Sequence, residues 1–299
     1  EGGFGNLTVE NKDGNIIVAA GESLVTQPLG SITLDGANVK ILGDIISPGG
    51  TINLSAYNIS PSVADEIRQS QNPSTPAPNA GRGLVTLGSD ATLDTSGLLI
   101  DDRLSNPGAL KEPLVLAGGD VNINGYSVNL AEGSVIDVSG GARIDSFGKR
   151  TYGDAGSITI KAGQDLSLTS VLGGSFTLGA ELRGFAGMGA AGGSLAIQAP
   201  LIQIGGGTSN PRVLLLDPDF FNQGGFSSFS LVGIGEAKGT DYTPGLVIAP
   251  GTVIEPVVQN YVAVPFGNKG GMSLRYVTLP EGLRSPLALD FGALGSLDD

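Results

Sequence analysis

The sequence predicts an all-β chain: a parallel β-helix, or solenoid, with loop insertions and a distinct C-terminal β region. Three observations predict it. The first is composition. With 49 Gly and 17 Pro in 299 residues, few segments run ten residues without a helix breaker. Yet 40% of the residues are hydrophobic, too many for a chain that stays disordered, and most are Val, Ile and Leu in short runs. The second is alternation. The stretch AGSITIKAGQDLSLTS, 155–170, contains Ser157-Ile-Thr-Ile and then Asp165-Leu-Ser-Leu, two short period-2 patterns eight residues apart. The third is recurrence. Val121, Ile158 and Leu195 open equivalent runs 37 residues apart, twice in succession.

The elements follow in order. GNLTVENKDGNIIVAAG (5–21) repeats apolar pairs at nine or ten residues, and 30–56 places Ile32 and Ile52 one 20-residue period apart. Gly83-LVTLGSDATLD reads as a weaker copy, with Val85 36 residues before Val121. The copies at 118–130, 155–168 and 192–204 each carry a second pair: Val128/Leu130, Leu166/Leu168 and Ile202/Ile204. SDATLDTSG (89–97) and EGSVIDVSG (132–140) match each other as a small turn, an apolar-Asp pair and a Ser-Gly stop. A strand of three or four residues is not stable alone. It becomes so when stacked on the equivalent strand of the next coil, with alternate residues in one core and Gly or Asn at the corners. Each coil then adds about 4.8 Å. A 20-residue coil makes a 37-residue spacing about two coils.

Residues 1–208 are assigned to this helix, with insertions near 60–80, 98–113 and 182–193. In the first, SVADEIRQS predicts a short helix capped by Ser62, with Asp65 and Glu66 in its first turn and Arg68 after them. The Gly/Ala-rich third would pack closely on a neighbouring backbone. From about Ser209 to the end, four of the ten Phe fall between 220 and 229 and the strands lengthen. Residues 209–299 therefore read as a cap or wider coils, linking to a next module. The N-terminus begins mid-pattern, which reads as a piece of a longer or processed polypeptide.

The formal charge of −13 and 16 scattered basic residues argue against a nucleic-acid partner. No His and no Cys closes the Ser-His-Asp, Cys-His and zinc-thiolate routes. No phosphate loop, dinucleotide fingerprint or calcium repeat is present. The expectation is a non-enzyme with no cofactor, no metal and no catalytic or binding residues assigned. A polysaccharide lyase or hydrolase on β-helical coils is the enzymatic alternative, using carboxylates with basic partners on one face. Its residues would be Asp94, Asp137 and Asp145, near Asp101, Asp102, Arg143, Lys149 and Arg150. Asp94 and Asp137 occupy equivalent places and would stack. An Asp just before Ser-Gly is more commonly a turn device that hydrogen-bonds its own backbone. Tyr57, Tyr126, Phe147 and Tyr152 are the aromatics that could stack on sugar rings, although core packing or scattered surface is the commoner use.

The run 30–56, the Asp-Val-Ser-Gly stops and the C-terminal strings FFNQGGFSSFSLVG, VIAPGTVIEP and LPEGLRSPLAL together resemble the filamentous haemagglutinin group of large exported bacterial proteins. The resemblance spans most of the chain and is most specific in that last block. It implies a right-handed β-helical shaft, agreeing with the general hand of crossover connections. It also implies two-partner secretion through an outer-membrane transporter and a place at the bacterial outer surface or outside the cell. The function implied is a structural or adhesive module, with a glycan or receptor on a host or neighbouring cell as possible partner. A self-assembling extracellular filament, with copies joined end to end, is a further alternative.

Overall fold

The short alternating runs bond to their equivalents in long parallel rows. A computed structural model describes residues 3–71, 74–103, 114–238, 241–265, 271–284 and 286–294. Strands take 49% of the chain and helices 6%, so the protein is all-β. Its largest sheet has 15 strands and is mostly parallel.

The first row contains residues 31–36 of the strand Ser23–Ile41, then Thr51–Ala56, Asp120–Gly125, Ser157–Lys161, Ser194–Ala199, Ser228–Gly233 and Ala288–Ala293. Its register sets Ile32, Ile52, Val121, Ile158, Leu195, Phe229 and Leu289 side by side. The second row joins residues 39–41 to Leu84–Leu87, Ser127–Leu130 and Phe176–Leu178. The third joins 23–25 to Asp44–Ile46, Thr92–Asp94, Val135–Asp137 and Glu181–Arg183. Phe4–Val18 pairs along Ser23–Ile41. Alternate residues of all three rows meet in one aliphatic core, where Ile32, Val39, Ile45, Ile52, Val121 and Ile136 are fully buried. Outward positions hold polar ladders: Asn122 Nδ2 donates to Asn53 Oδ1 at 3.0 Å, and Asn53 Nδ2 to Thr33 Oγ1 at 3.2 Å.

A column of glycines starts five of these seven first-row strands, because adjacent backbones approach too closely for a side chain. A Cβ on Gly119 would lie 1.9 Å from the Gly50 carbonyl oxygen, and one on Gly156 would lie 1.8 Å from that of Gly119. Those carbonyls accept from Asp120 N and Ser157 N, closing each step.

The structure corrects several expectations. The 37-residue spacing is a single step of the first row, not two, because Val121, Ile158 and Leu195 are direct neighbours. Chain beyond the 20 residues of the Ile32–Ile52 step leaves the row and returns. Val85 belongs to the second row, beside Val39 and Val128, rather than in line with Val121. Leu166 and Leu168 form no strand. They lie in a turn around the buried Asp165, and Phe176–Leu178 takes the second-row place. The helix is Pro61–Gln69, capped by Ser60 rather than Ser62, so Asp65 and Glu66 fall beyond its first turn. Pro61 at the first helical position, where no N–H partner is needed, moves the start forward. The expected insertion at 98–113 begins with a strand, Leu99–Asp101, paired to Ala142–Ile144. Its residues 104–113 lie outside the described residues. The segment 182–193 carries part of Glu181–Arg183 and the short strand Ala186–Gly187. Its glycines meet side chains, Gly184 on Phe226 and Gly187 on Tyr152, and also the expected neighbouring backbone, where a Cβ on Gly192 would lie 2.3 Å from the Gly225 carbonyl oxygen.

Two excursions dock on each other through Asp165. Its Oδ2 accepts from Asn58 N and Ile59 N at 2.8 and 3.1 Å, and its Oδ1 from Ser167 N and Leu168 N, both at 2.8 Å. Ile59, Ala64 and Val171 fill the space between. Beyond Ser209 the first row runs on through Ser228–Gly233 and Ala288–Ala293, while Leu201–Ile204 joins Val213–Leu216 and Leu246–Ile248 in a separate parallel sheet. An antiparallel hairpin, Asn260–Pro265 with Met272–Val277, lies against Ala142, Tyr152 and Phe185.

Candidate functional site

The third row sets Asp94 and Asp137 side by side as register partners, with Arg183 next to Asp137 on the following strand. Leu93, Ile136 and Leu182, one residue earlier on each strand, point into the core, so strand alternation turns Asp94, Asp137 and Arg183 outward. Each aspartate also makes the turn its Ser-Gly neighbour predicted. Asp94 Oδ1 accepts from Ser96 N and Asp137 Oδ1 from Ser139 N, both at 2.8 Å. The turn device and the stacked face are therefore the same residues.

The remaining oxygen of Asp137 lies 3.8 Å from Arg183 Nη1. Arg183 is bound more closely by Glu181, donating from Nε and Nη2 at 2.8 Å each. Burial pushes the Asp137 carboxyl above the usual range, and the charge of Asp94 adds to this. The hydrogen bonds from Ser139 and the charge of Arg183 oppose it. Glu181 is held low, chiefly by its hydrogen bonds from Arg183. Tyr276, on the hairpin that covers this side, is raised mainly by burial. Tyr261, on the same hairpin, is buried and donates to the carbonyls of Gly140 and Gly141 at 2.5 and 2.8 Å; burial raises its hydroxyl strongly. A carboxyl with increased proton affinity beside a second carboxylate and an arginine can hold and exchange a proton. Half of each carboxylate is already committed to its own turn.

The other sequence candidates do not converge on this column. Arg143 Nε donates to Asp102 Oδ2 at 2.6 Å, and Arg103 donates from Nε and Nη2 to Asp101 at 2.8 and 2.7 Å, forming a separate group. Asp145 Oδ1 accepts from Phe147 N and Lys149 N at 2.9 Å each, shaping the turn between Ala142–Ile144 and Arg150–Tyr152. Arg150 Nε donates to the Ala263 carbonyl. The four aromatics are engaged separately. Lys12 sits 5.3 Å from the Tyr57 ring centre, Tyr126 donates to the Leu172 carbonyl, Tyr152 meets Tyr261 edge-on, and Phe147 is 94% exposed at a turn tip.

Sequence reasoning missed Glu181, Arg183 and Tyr276. The first two had a usable signal: a three-residue strand with a buried middle residue, following a second-row strand as 135–137 follows 127–130. Tyr276 had none, because it reaches the column from a distant hairpin. Among the described residues no group of three or more acidic side chains is arranged to hold a metal ion, and no helix is long and apolar enough to cross a membrane. Compared with known proteins, the chain matches no family model, no curated sequence and no solved structure.

Proposed function

We propose that the three rows are faces of a right-handed parallel β-helix, and that the chain is a length of stiff shaft in a large exported protein of the filamentous haemagglutinin type. The observation that carries this reading is the first row: seven strands from 31–36 to 288–293 in one unbroken register, with residues 6–11 paired ahead of them, beside a single hydrophobic core. Such a rod resists bending through backbone ladders, with no disulfide, and its length grows by one strand spacing per coil. It would serve at the outer cell surface, holding an adhesive or toxic tip away from the cell after passage through an outer-membrane transporter. The test is surface proteolysis of intact producing cells with peptide mass mapping. Peptides from this chain, released together with those of a much longer polypeptide, support the shaft. Recovery only from the cell interior, as a free protein of about this size, refutes it.

A second reading has one observation in its favour: the Asp94–Asp137–Arg183 column is a stack of carboxylates with a basic partner on one face. It predicts cleavage of a polysaccharide that is abolished in Asp94→Asn and Asp137→Asn. Unchanged cleavage in both variants, or none by the parent chain, removes it.

A further inference from the structure

The core fails to close at one place. The second row ends at Phe176–Leu178 and the third at Glu181–Arg183, while Val213–Leu216 belongs to the separate sheet and pairs with neither. Protein interiors otherwise pack with few voids larger than a water molecule. Here the mismatch leaves an open cleft of about 450 Å³, within the size range of small-ligand sites. Most of its lining residues are apolar, including Leu182, Leu195, Leu214 and the rings of Phe226 and Phe229, while polar and apolar atoms share its surface about evenly.

The polar lining has one sign. It consists of Glu181, Asp217, Gln223 and Gln259, with no lysine or arginine. Glu181 is matched by Arg183. Asp217 has no cationic partner among the described residues; its Oδ1 accepts from Asp219 N at 2.9 Å, capping the short helix Pro218–Asn222, and the carboxylate stays exposed. We propose that this cleft binds a small amphipathic cation, an ammonium group on a hydrocarbon body, with its head at Asp217 and its body against Leu195, Leu214 and Phe229. A carboxylate ligand would bring a third negative charge to a lining that offers no basic group. A neutral ligand would gain the hydrocarbon contact and nothing from Asp217. The inference does not depend on the shaft reading, because the cleft lies within this chain.

The test is titration of the purified chain with octylammonium, octan-1-ol and octanoate, followed by calorimetry and by the leucine methyl signals in NMR. Octylammonium is expected to bind at least about tenfold more tightly than the other two, because a charge-assisted contact is added to the same burial. The shifts should centre on Leu182, Leu195 and Leu214. Asp217→Asn keeps the helix cap and should bring octylammonium down to the affinity of octan-1-ol. No shift at those methyls, equal binding of all three probes, or an unchanged octylammonium affinity in Asp217→Asn would each overturn the proposal. A thermal melt matching the parent's shows that the variant is folded.

Discussion

At the scale of single residues, two aspartates, Asp165 buried and Asp137 half-buried, do opposite things. Asp165 accepts from four backbone N–H donors, two on each oxygen, so the site suits a side chain with two acceptor oxygens. Asp165→Ala strands those donors and should cost about 3 kcal/mol or more in urea denaturation. Asp165→Asn, which keeps one acceptor oxygen, should fall in between. The damage has an address: Arg68 Nη2 donates to the Ser167 carbonyl across the same junction, so trypsin should cut at Arg68 sooner in Asp165→Ala. Asp137 sits the other way, with burial raising its carboxyl pKa in the fold. A raised acid contributes stability that is complete below its unfolded pKa, about 3.9, and lost as pH rises through the folded value. At neutral pH the ionised form therefore works against the fold. Asp137→Asn should melt a few degrees higher than the parent at pH 7, since its amide oxygen still accepts from Ser139 N, and the gap should close as pH falls below about 4. A variant less stable than the parent at pH 7 would mean the Arg183 contact outweighs burial.

At the scale of elements, legibility followed how often a pattern was written. Five first-row strands share one text, a glycine followed by two inward apolar residues in alternation, and they could be aligned from 118–130, 155–168, 192–204 and, twice over, 30–56. The reason for the glycine was not legible, because the carbonyl it meets belongs to a strand 20 to 69 residues away. Gly119→Ala should cost about 3 kcal/mol, at the upper end for forcing backbones apart. Gly207→Ala, with open space around it, should stay within about 0.5 kcal/mol of the parent. Equal effects would show that the column is not under steric control. Leu166/Leu168 misled for a physical reason: alternation at 165–168 comes from a turn wrapped on Asp165, and period 2 does not separate that from a strand. The Asp94–Asp137 stack was readable because both ends sit in repeated strings. Arg183 lies in a string of different composition, and only the register brings it there.

At the scale of the whole molecule, three rows with one shared step make a stronger claim than any single strand. Residues 7, 32 and 52 are successive in the first row, residues 16, 39 and 85 in the second, and residues 24, 45 and 93 are successive in the third. Removing residues 32–51 takes one strand from every row at once. Ser31 then runs into Ile52, Leu7 faces Ile52, Ile16 faces Val85 and Leu24 faces Leu93, each apolar against apolar and in phase. Gly30, whose carbonyl Gly50 now approaches most closely, takes the place of Gly50 beneath Asp120. In a stack held by nearest-neighbour contacts, such a deletion subtracts one unit and leaves the interfaces intact. The shortened chain should keep its strand circular dichroism and a single cooperative urea transition at a lower midpoint. Its maximum dimension in X-ray scattering should be shorter by about 5 Å, one strand spacing. Removing residues 32–41 instead, half a step, takes the first- and second-row strands but leaves 44–46 in the third, so the rows no longer close together. That chain should unfold or aggregate. If both deletions fold equally well, the rows are independent sheets that happen to lie side by side, and the single rising coil is wrong.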